Sequence, residues 1–163
     1  MILSRLASPI GDLDAATDGA GRLRVLEFAD KPQRLARALR RHAGAPIVTG
    51  TTPTAVAWGL EAYFAGDLAA LASVPLTIGG TAFQQAVWTA LVAIPAGRTD
   101  TYAGLARAMD RPSATRAVGA ANGANPLAIV VPCHRLVGAD GALTGYGGGV
   151  ERKRWLLAHE GVD

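Results

Sequence analysis

The sequence predicts an α+β protein of two domains: a small N-terminal α/β domain with an antiparallel sheet, then a mostly helical C-terminal domain. In the first thirty residues, short apolar segments alternate with turn residues, as in β-hairpins. Further along, apolar residues recur at intervals of three and four, the spacing of amphipathic helices. Residues 68–80 follow neither pattern and contain a proline, so they read as a linker between domains 1–80 and 81–163.

The composition narrows the class of protein. The chain has 163 residues, of which 50% are hydrophobic and 18% charged, enough apolar material to bury a core. No apolar run approaches the ~18 residues of a membrane helix, and Met1–Leu3 is too short for the core of a secretory signal. The single cysteine, Cys133, excludes an internal disulfide. We therefore expect a protein of a reducing cytoplasm, with no membrane partner.

The N-terminal half of the sequence predicts short strands followed by two helices. Residues 2–6 predict a strand, and a turn at 8–11 and a hairpin connection at 19–21 lead to an irregular strand at 23–28. Residues 31–42 predict a helix with a basic outer face, interpreted as a solvated surface, with a nucleic-acid patch as the alternative. Residues 54–64 predict a second helix that ends at Gly66. The cations of the basic face are Arg34, Arg37, Arg40 and Arg41.

The second half begins with three helices. Residues 83–94 form an apolar helix, and two short helices, 102–109 and 113–122, flank a tight turn. This arrangement favours a helix-turn-helix, with Ser113 capping its second helix. That helix consists of small residues with Arg116 as its one long cation. Close packing and close approach to DNA explain this pattern equally well.

The last segments surround the cysteine. Residues 127–131 predict a buried strand that ends at the sequence Pro-Cys-His-Arg, and a glycine-rich loop covers 138–149. Residues 151–160 predict a closing helix. On that helix we expect Trp155 and Leu156 to face inward, and the three cations 152–154 (Arg152, Lys153, Arg154) to face outward.

Cys133 is the one soft nucleophile, and its reaction requires a base because the thiolate is the reactive form. His134 is adjacent, and a turn at Pro132 would let both side chains face one pocket. Glu160 is a candidate to orient a histidine; His42 and His159 are the other imidazoles. The alternative is an inert, packed cysteine. A polar Cys-His-Arg triplet, however, is costly to bury for packing alone.

The stretch from Phe83 to Gly161 resembles the O6-alkylguanine-DNA alkyltransferases, also called methylated-DNA–protein-cysteine methyltransferases, in particular their bacterial Ogt-like members. The resemblance implies a ribonuclease H-like N-terminal domain and a winged helix-turn-helix-like C-terminal domain. The matching segments keep the family's order and spacing: 83–88 (FQQAVW), 101–102 (TY), 116–119 (RAVG), 125–126 (NP), 131–135 (VPCHR), 145–149 (GYGGG) and 155–161 (WLLAHEG).

The resemblance implies direct-reversal DNA repair. An alkylated guanine, with O4-alkylthymine as a second candidate base, would be flipped from duplex DNA. Its alkyl group would pass irreversibly, and once only, to Cys133, with no cofactor and no metal. His134 would act through a water and Glu160 would support it. Asn125 would brace the turn, and Tyr102 would donate a hydrogen bond to the purine.

The resemblance also implies how DNA is held by a monomer, in the minor groove and with little sequence preference. Arg116 would fill the gap left by the flipped base. Thr101 stands where many members have serine, and Gly147 stands where some have a hydroxyl residue, so the width of the pocket is specific to this chain. The small face toward DNA would consist of Ala114, Thr115, Ala117 and Ala121, and the base pocket of Pro132, Leu136, Tyr146 and Gly147.

Three other functions are compatible with parts of the sequence. A damage sensor that binds the lesion without transfer would lack the acceptor cysteine, and Cys133 is present. A helix-turn-helix regulator with Cys133 as a sensing thiol would require a defined operator. A cysteine hydrolase using Cys133 and His134 leaves Arg116 without a role.

Overall fold

Six α-helices, a four-stranded sheet and a two-stranded sheet make this chain an α+β protein, as the sequence predicts. The computed structural model describes every residue from Met1 to Asp163. The residues cluster into two compact units. Unit 1 comprises Met1–Gly79 and Pro126–Val130, and unit 2 comprises Gly80–Asn125 and Val131–Asp163. The division into an N-terminal domain, 1–80, and a C-terminal domain, 81–163, stays a prediction.

The sheet of unit 1 is mostly antiparallel. Strands β1 (Ile2–Leu6), β2 (Leu13–Thr17) and β3 (Leu23–Phe28) pair antiparallel in sequence, and the short β4 (Val48–Thr49) joins β1 in parallel. The strand order is β3-β2-β1-β4. The β2–β3 register shifts at Ala16–Thr17, so β3 is irregular at Arg24 and not between Val25 and Phe28, where the apolar spacing breaks.

Two helices complete the regular structure of unit 1, α1 (Pro32–Arg40) and α2 (Thr54–Phe64). Pro32 fits the first turn of α1 because no intrahelical donor is lost there. The apolar side of α1 covers the sheet: Leu35, Ala38 and Leu39 pack with Ala16 and Val25.

Two predictions for this unit are wrong. Residues 68–80 are not a free linker, because Leu23 donates to the Pro75 carbonyl (2.8 Å) and Thr77 donates to that of Leu23 (3.0 Å). A 3-10 helix, Ala70–Ser73, lies in the same segment. Residues 127–131 are buried as expected but form turns rather than a strand, with a single parallel bridge between Leu127 and Leu26. The bridges Leu23–Leu76 and Leu26–Leu127 each join a single pair of residues, too short a pairing to leave a periodic pattern in the sequence.

Unit 2 contains the remaining helices, α3 (Ala82–Val92), α4 (Tyr102–Ala108), α5 (Thr115–Gly123) and α6 (Val150–His159). Strands β5 (Asp100–Thr101) and β6 (Leu136–Val137) pair in parallel. The buried Trp88 on α3 donates its indole N–H to the Ala121 carbonyl on α5 (2.9 Å). Ser113 does not cap α5, whose N-cap is Ala114 and has no side-chain hydrogen bond. None of the helices has both the length and the apolar character needed to cross a lipid bilayer.

Candidate active site

The cysteine lies on a tight turn held by two asparagines. Cys133–Arg135 form one turn of 3-10 helix, so Cys133 and His134 do not alternate across a strand. Asn125, 1% exposed, donates its side-chain N–H to the Val131 carbonyl (2.9 Å). Asn122 donates to the Cys133 carbonyl at 3.5 Å. The thiol-bearing residue itself is 6% exposed, so the turn fixes a nearly buried thiol.

A single carboxylate organises the next two residues of the turn. Glu160 follows α6, and its Oε1 lies 2.9 Å from Nε2 of His134. Arg135 donates to both carboxylate oxygens, from Nε to Oε2 and from a terminal nitrogen to Oε1, each at 2.9 Å. A second terminal nitrogen of Arg135 donates to the Ile94 carbonyl (2.5 Å). All three side chains are buried, and the bidentate geometry fixes the plane of the carboxylate.

Burial and charge set the protonation states of this network. Burial opposes ionisation of Glu160, but the hydrogen bonds and charges of His134 and Arg135 outweigh it and lower its pKa to about 2. For His134 burial dominates, and its pKa is lowered despite the Glu160 partner. The imidazole is therefore neutral at pH 7. Its Nε2–H donates to Glu160, which leaves the lone pair on Nδ1, a buried atom with no hydrogen bond in the protein.

Lys153 corrects the prediction for the closing helix. Its side chain faces inward and is fully buried, not outward with Arg152 and Arg154. The ammonium donates to the Leu136 carbonyl, and to the Thr144 carbonyl at 2.8 Å. Burial lowers the pKa of Lys153 and the negative form of Cys133 raises it. By the same interaction, the Lys153 charge stabilises a thiolate at Cys133.

The glycine-rich loop brings an aromatic ring to the site. The Tyr146 ring meets the His134 ring edge-on, with centroids 6.4 Å apart and planes at 79°. Pro132 and Leu136 are buried beside the turn, while Tyr146 and Gly147 are half-buried. Leu136 is expected to line the base pocket, and its carbonyl accepts a hydrogen bond from the Lys153 ammonium.

The residues expected to face DNA lie on α4 and α5. Tyr102 opens α4, and its ring lies near Gly119 on α5, where a Cβ would be 3.7 Å from the ring. Arg116 is exposed and forms no ion pair. Ala114 and Thr115 are half-buried and Ala117 is exposed. Ala121 is a correction: it is 3% exposed, beneath Trp88, so its side chain belongs to the core and not to the surface.

The structure selects one of the three histidines as the partner of Glu160. His159 stacks on Trp155, with centroids 4.8 Å apart, and His42 belongs to unit 1. Trp155 is half-buried, so its predicted inward orientation is only partly realised. Sequence reasoning missed the contacts of Arg135 and Lys153. An arginine directly after the cysteine and histidine was the available signal for the first; no pattern marked the second.

Comparison with known proteins gives a consistent result. Residues 82–162 match the family model described as 6-O-methylguanine DNA methyltransferase, DNA binding domain. A methylated-DNA–protein-cysteine methyltransferase of Salmonella typhimurium is 48% identical over 164 residues, covering 99% of this chain and 96% of that protein.

Two solved structures are similar over nearly the whole chain. The crystal structure of Mycobacterium tuberculosis OGT in complex with DNA matches with a TM-score of 0.81 at 42% identity, covering 98% of this chain and 92% of that one. The O6-methylguanine-DNA methyltransferase of the archaeon Pyrococcus kodakaraensis matches with a TM-score of 0.77 at 29% identity, covering 99% of each chain.

Proposed function

The chain belongs to the family of methylated-DNA–protein-cysteine methyltransferases, which are DNA-repair enzymes, and on that premise we propose that it moves an alkyl group from O6 of guanine in DNA to Cys133. One observation carries the proposal. Cys133 lies in the same turn as a neutral, buried His134, whose orientation is fixed by Glu160 and whose free lone pair can accept a proton. A nucleophile, a base and an orienting carboxylate form a unit suited to alkyl transfer.

The reaction balances within these groups. The Cys133 thiol passes its proton, through one water, to Nδ1 of His134, and the Lys153 ammonium stabilises the thiolate that remains. Sulfur then bonds to the alkyl carbon while the carbon–oxygen bond breaks and its electron pair moves to the purine. Tyr102 donates a hydrogen bond to the purine, and the purine anion takes up, by way of water, the proton that His134 accepted, so that guanine is restored in the DNA. The thioether does not hydrolyse, so each molecule acts once. In O4-alkylthymine the alkyl carbon is likewise bonded to an exocyclic oxygen of the base, so the same transfer is possible.

DNA would be held by α4 and α5 as the helix-turn-helix of a winged C-terminal domain. Tyr102 and Arg116 stand on these two helices, and Ala114, Thr115 and Ala117 give α5 the slim face that a minor groove requires. Extruding a base costs a few kcal/mol, and the exposed, unpaired Arg116 is suited to occupying the vacated position. We propose a ribonuclease H-like fold for the N-terminal domain and action as a monomer, with Pro132, Leu136, Tyr146 and Gly147 lining the base pocket.

Intact-mass spectrometry tests the proposal. The protein is mixed with a duplex containing one O6-methylguanine, and a gain of one methyl group is expected, mapping to Cys133. Cys133→Ala and an unmethylated duplex are the matched controls and should give no gain. Loss of methyl from the DNA with Cys133 unmodified, or more than one turnover per protein, would contradict the proposal.

A second arm of the same experiment tests the role of Arg116. Free O6-benzylguanine needs no extrusion from a duplex, so Arg116→Ala should slow transfer from methylated duplex while leaving the reaction with the free base unchanged. Arg98→Ala, which removes another exposed arginine of unit 2, is the control and should change neither rate. Equal losses on both substrates would refute the proposed insertion of Arg116.

A further inference from the structure

Unit 1 carries a concentration of positive charge that the reaction at Cys133 does not use. Residues 31–60 contain five cations, namely Lys31 and four arginines, and no acidic residue. Arg37 and Arg40, in the last turn of α1, and Arg41, which follows it, are exposed. Arg24 on β3 adds a fourth guanidinium. We call Arg24, Arg37, Arg40 and Arg41 the basic cluster.

Two cations of this cluster, Arg37 and Arg41, are close enough to repel one another. Arg37 and Arg41 are four residues apart, and burial together with the charge of Arg37 lowers the pKa of Arg41. Burial and the charges of Arg24 and Arg41 likewise lower the pKa of His42. The cluster therefore combines residues from a helix and from the neighbouring strand.

Two arginines of the cluster, Arg37 and Arg40, carry charge that no nearby carboxylate neutralises. Glu27 is occupied by Arg34, with a nitrogen–oxygen distance of 3.1 Å. Asp18 forms ion pairs with both Arg22, at 3.0 Å, and Arg24, at 3.6 Å. The Nε of Arg24 is buried and forms no hydrogen bond. Arg37 and Arg40 make no ion pair in the structure.

The helix dipole explains only part of the arrangement. It favours cations in the last turn of α1, but it does not act on Arg24, which lies on a strand and pairs with Asp18. A solvated helix face ordinarily mixes both signs of charge, and this one has a single sign. A polyanionic partner would supply the missing negative charge, since guanidinium groups bind phosphate in a bidentate manner.

We propose that the basic cluster of unit 1 binds the phosphodiester backbone of DNA, as a contact additional to that of α4 and α5. This inference rests on the proposed function, which makes DNA the substrate. The contact is independent of base sequence and releases counterions from the backbone. Its role is to increase the time the enzyme spends on undamaged DNA while it searches.

The salt dependence of DNA binding tests this inference. Affinity of the full chain for a lesion-free duplex is measured over a range of salt concentrations, for the wild type and for R37Q/R40Q. The slope of log K against log salt should decrease in magnitude by up to about 1.8, the value for two phosphate contacts at about 0.9 each. The charge-preserving variant R37K/R40K should keep the wild-type slope.

The matched control removes two other exposed cations of unit 1. Arg5 and Arg22 are already paired with Asp14 and Asp18, so R5Q/R22Q should leave the slope nearly unchanged. An unchanged slope in R37Q/R40Q overturns the inference, and this is the result expected if the true partner is an acidic protein. An equal decrease of the slope in R5Q/R22Q also overturns it. Absence of methyl transfer from methylated duplex to wild-type Cys133 overturns the proposed function instead.

Discussion

Glu160 is the residue on which the ionisation of the site depends, and it makes stability depend on pH. Its pKa falls from 4.5 to about 2 on folding. A depressed carboxyl pKa contributes stability that is present above pH 4.5 and is lost as the pH falls toward 2. The shift corresponds to about 3 kcal/mol. In Glu160→Gln, we expect this part of the acid dependence of the unfolding free energy to disappear.

Urea unfolding at pH 6, 5, 4 and 3 measures the effect. Glu151→Gln is the matched control, because Glu151 is an exposed carboxylate paired with Arg154, and such pairs contribute little. The unfolding free energy of Glu151→Gln, plotted against pH, should run parallel to that of the wild type. A wild-type pH dependence retained in full by Glu160→Gln would show that the carboxylate is not held ionised by Arg135.

At the residue scale, the sequence predicted contacts between neighbouring residues but not contacts between residues far apart in the chain. Pro132 predicted the turn at Cys133. His134 was predicted as the partner of the cysteine because it is the next residue in the sequence. Lys153 was misplaced because its partners are the carbonyls of Leu136 and Thr144. Backbone carbonyls carry no residue identity, so no helical pattern could reveal that a cation would turn inward.

At the scale of elements, the start of α4 depends on a glycine. A Cβ at Gly104 would lie 1.9 Å from the Asp100 carboxylate and 3.0 Å from the Thr101 hydroxyl. That hydroxyl accepts the Gly104 N–H at 2.9 Å. Gly104→Ala should therefore destabilise the protein by roughly 1–3 kcal/mol, although alanine ordinarily stabilises a helix.

Gly119→Ala on α5 is the matched control for this prediction. Its Cβ would make an ordinary contact with Tyr102 at 3.7 Å, so the helix should gain up to about 1 kcal/mol. The two variants thus move in opposite directions in a urea titration. If Gly104→Ala were as stable as Gly119→Ala, the cap formed by Asp100 and Thr101 would not restrict this position.

Apolar spacing in the sequence predicted the longer helices but not the short buried segment 127–131. Helices α1, α2 and α3 were predictable because their apolar spacing persists over two or more turns. The stretch 127–131 was not, since a short apolar run fits a strand and a buried turn equally well. Ile129 there adopts φ of 71°, a left-handed conformation that a β-branched residue rarely accepts.

On the scale of the whole molecule, the proposed reaction changes the protein that performs it. Cys133 is 6% exposed in a turn braced by Asn122 and Asn125, so an added alkyl group enters filled space. Overpacking of this kind costs typically 1–3 kcal/mol, and each kcal/mol lowers the melting temperature by about 2–4 °C in a chain of this size. The methylated protein should therefore melt several degrees lower than the unreacted protein.

Thermal melting before and after reaction measures this change, with Cys133→Ala carried through the same treatment as the control. A benzyl group should lower the melting temperature further than a methyl group, because it displaces more of the surrounding structure. An unchanged or higher melting temperature after complete alkylation would show that the turn has room for the product.

The membership of Pro126–Val130 in unit 1 has a consequence for how the chain is made. Leu26 donates to the Pro126 carbonyl and accepts from Ala128, so β3 obtains partners from a segment synthesised about a hundred residues later. A nascent chain that ends before this segment leaves one side of the first unit incomplete. The ribosome must therefore deliver most of the polypeptide before the N-terminal unit can close, and folding of the two units is coupled in time as translation proceeds.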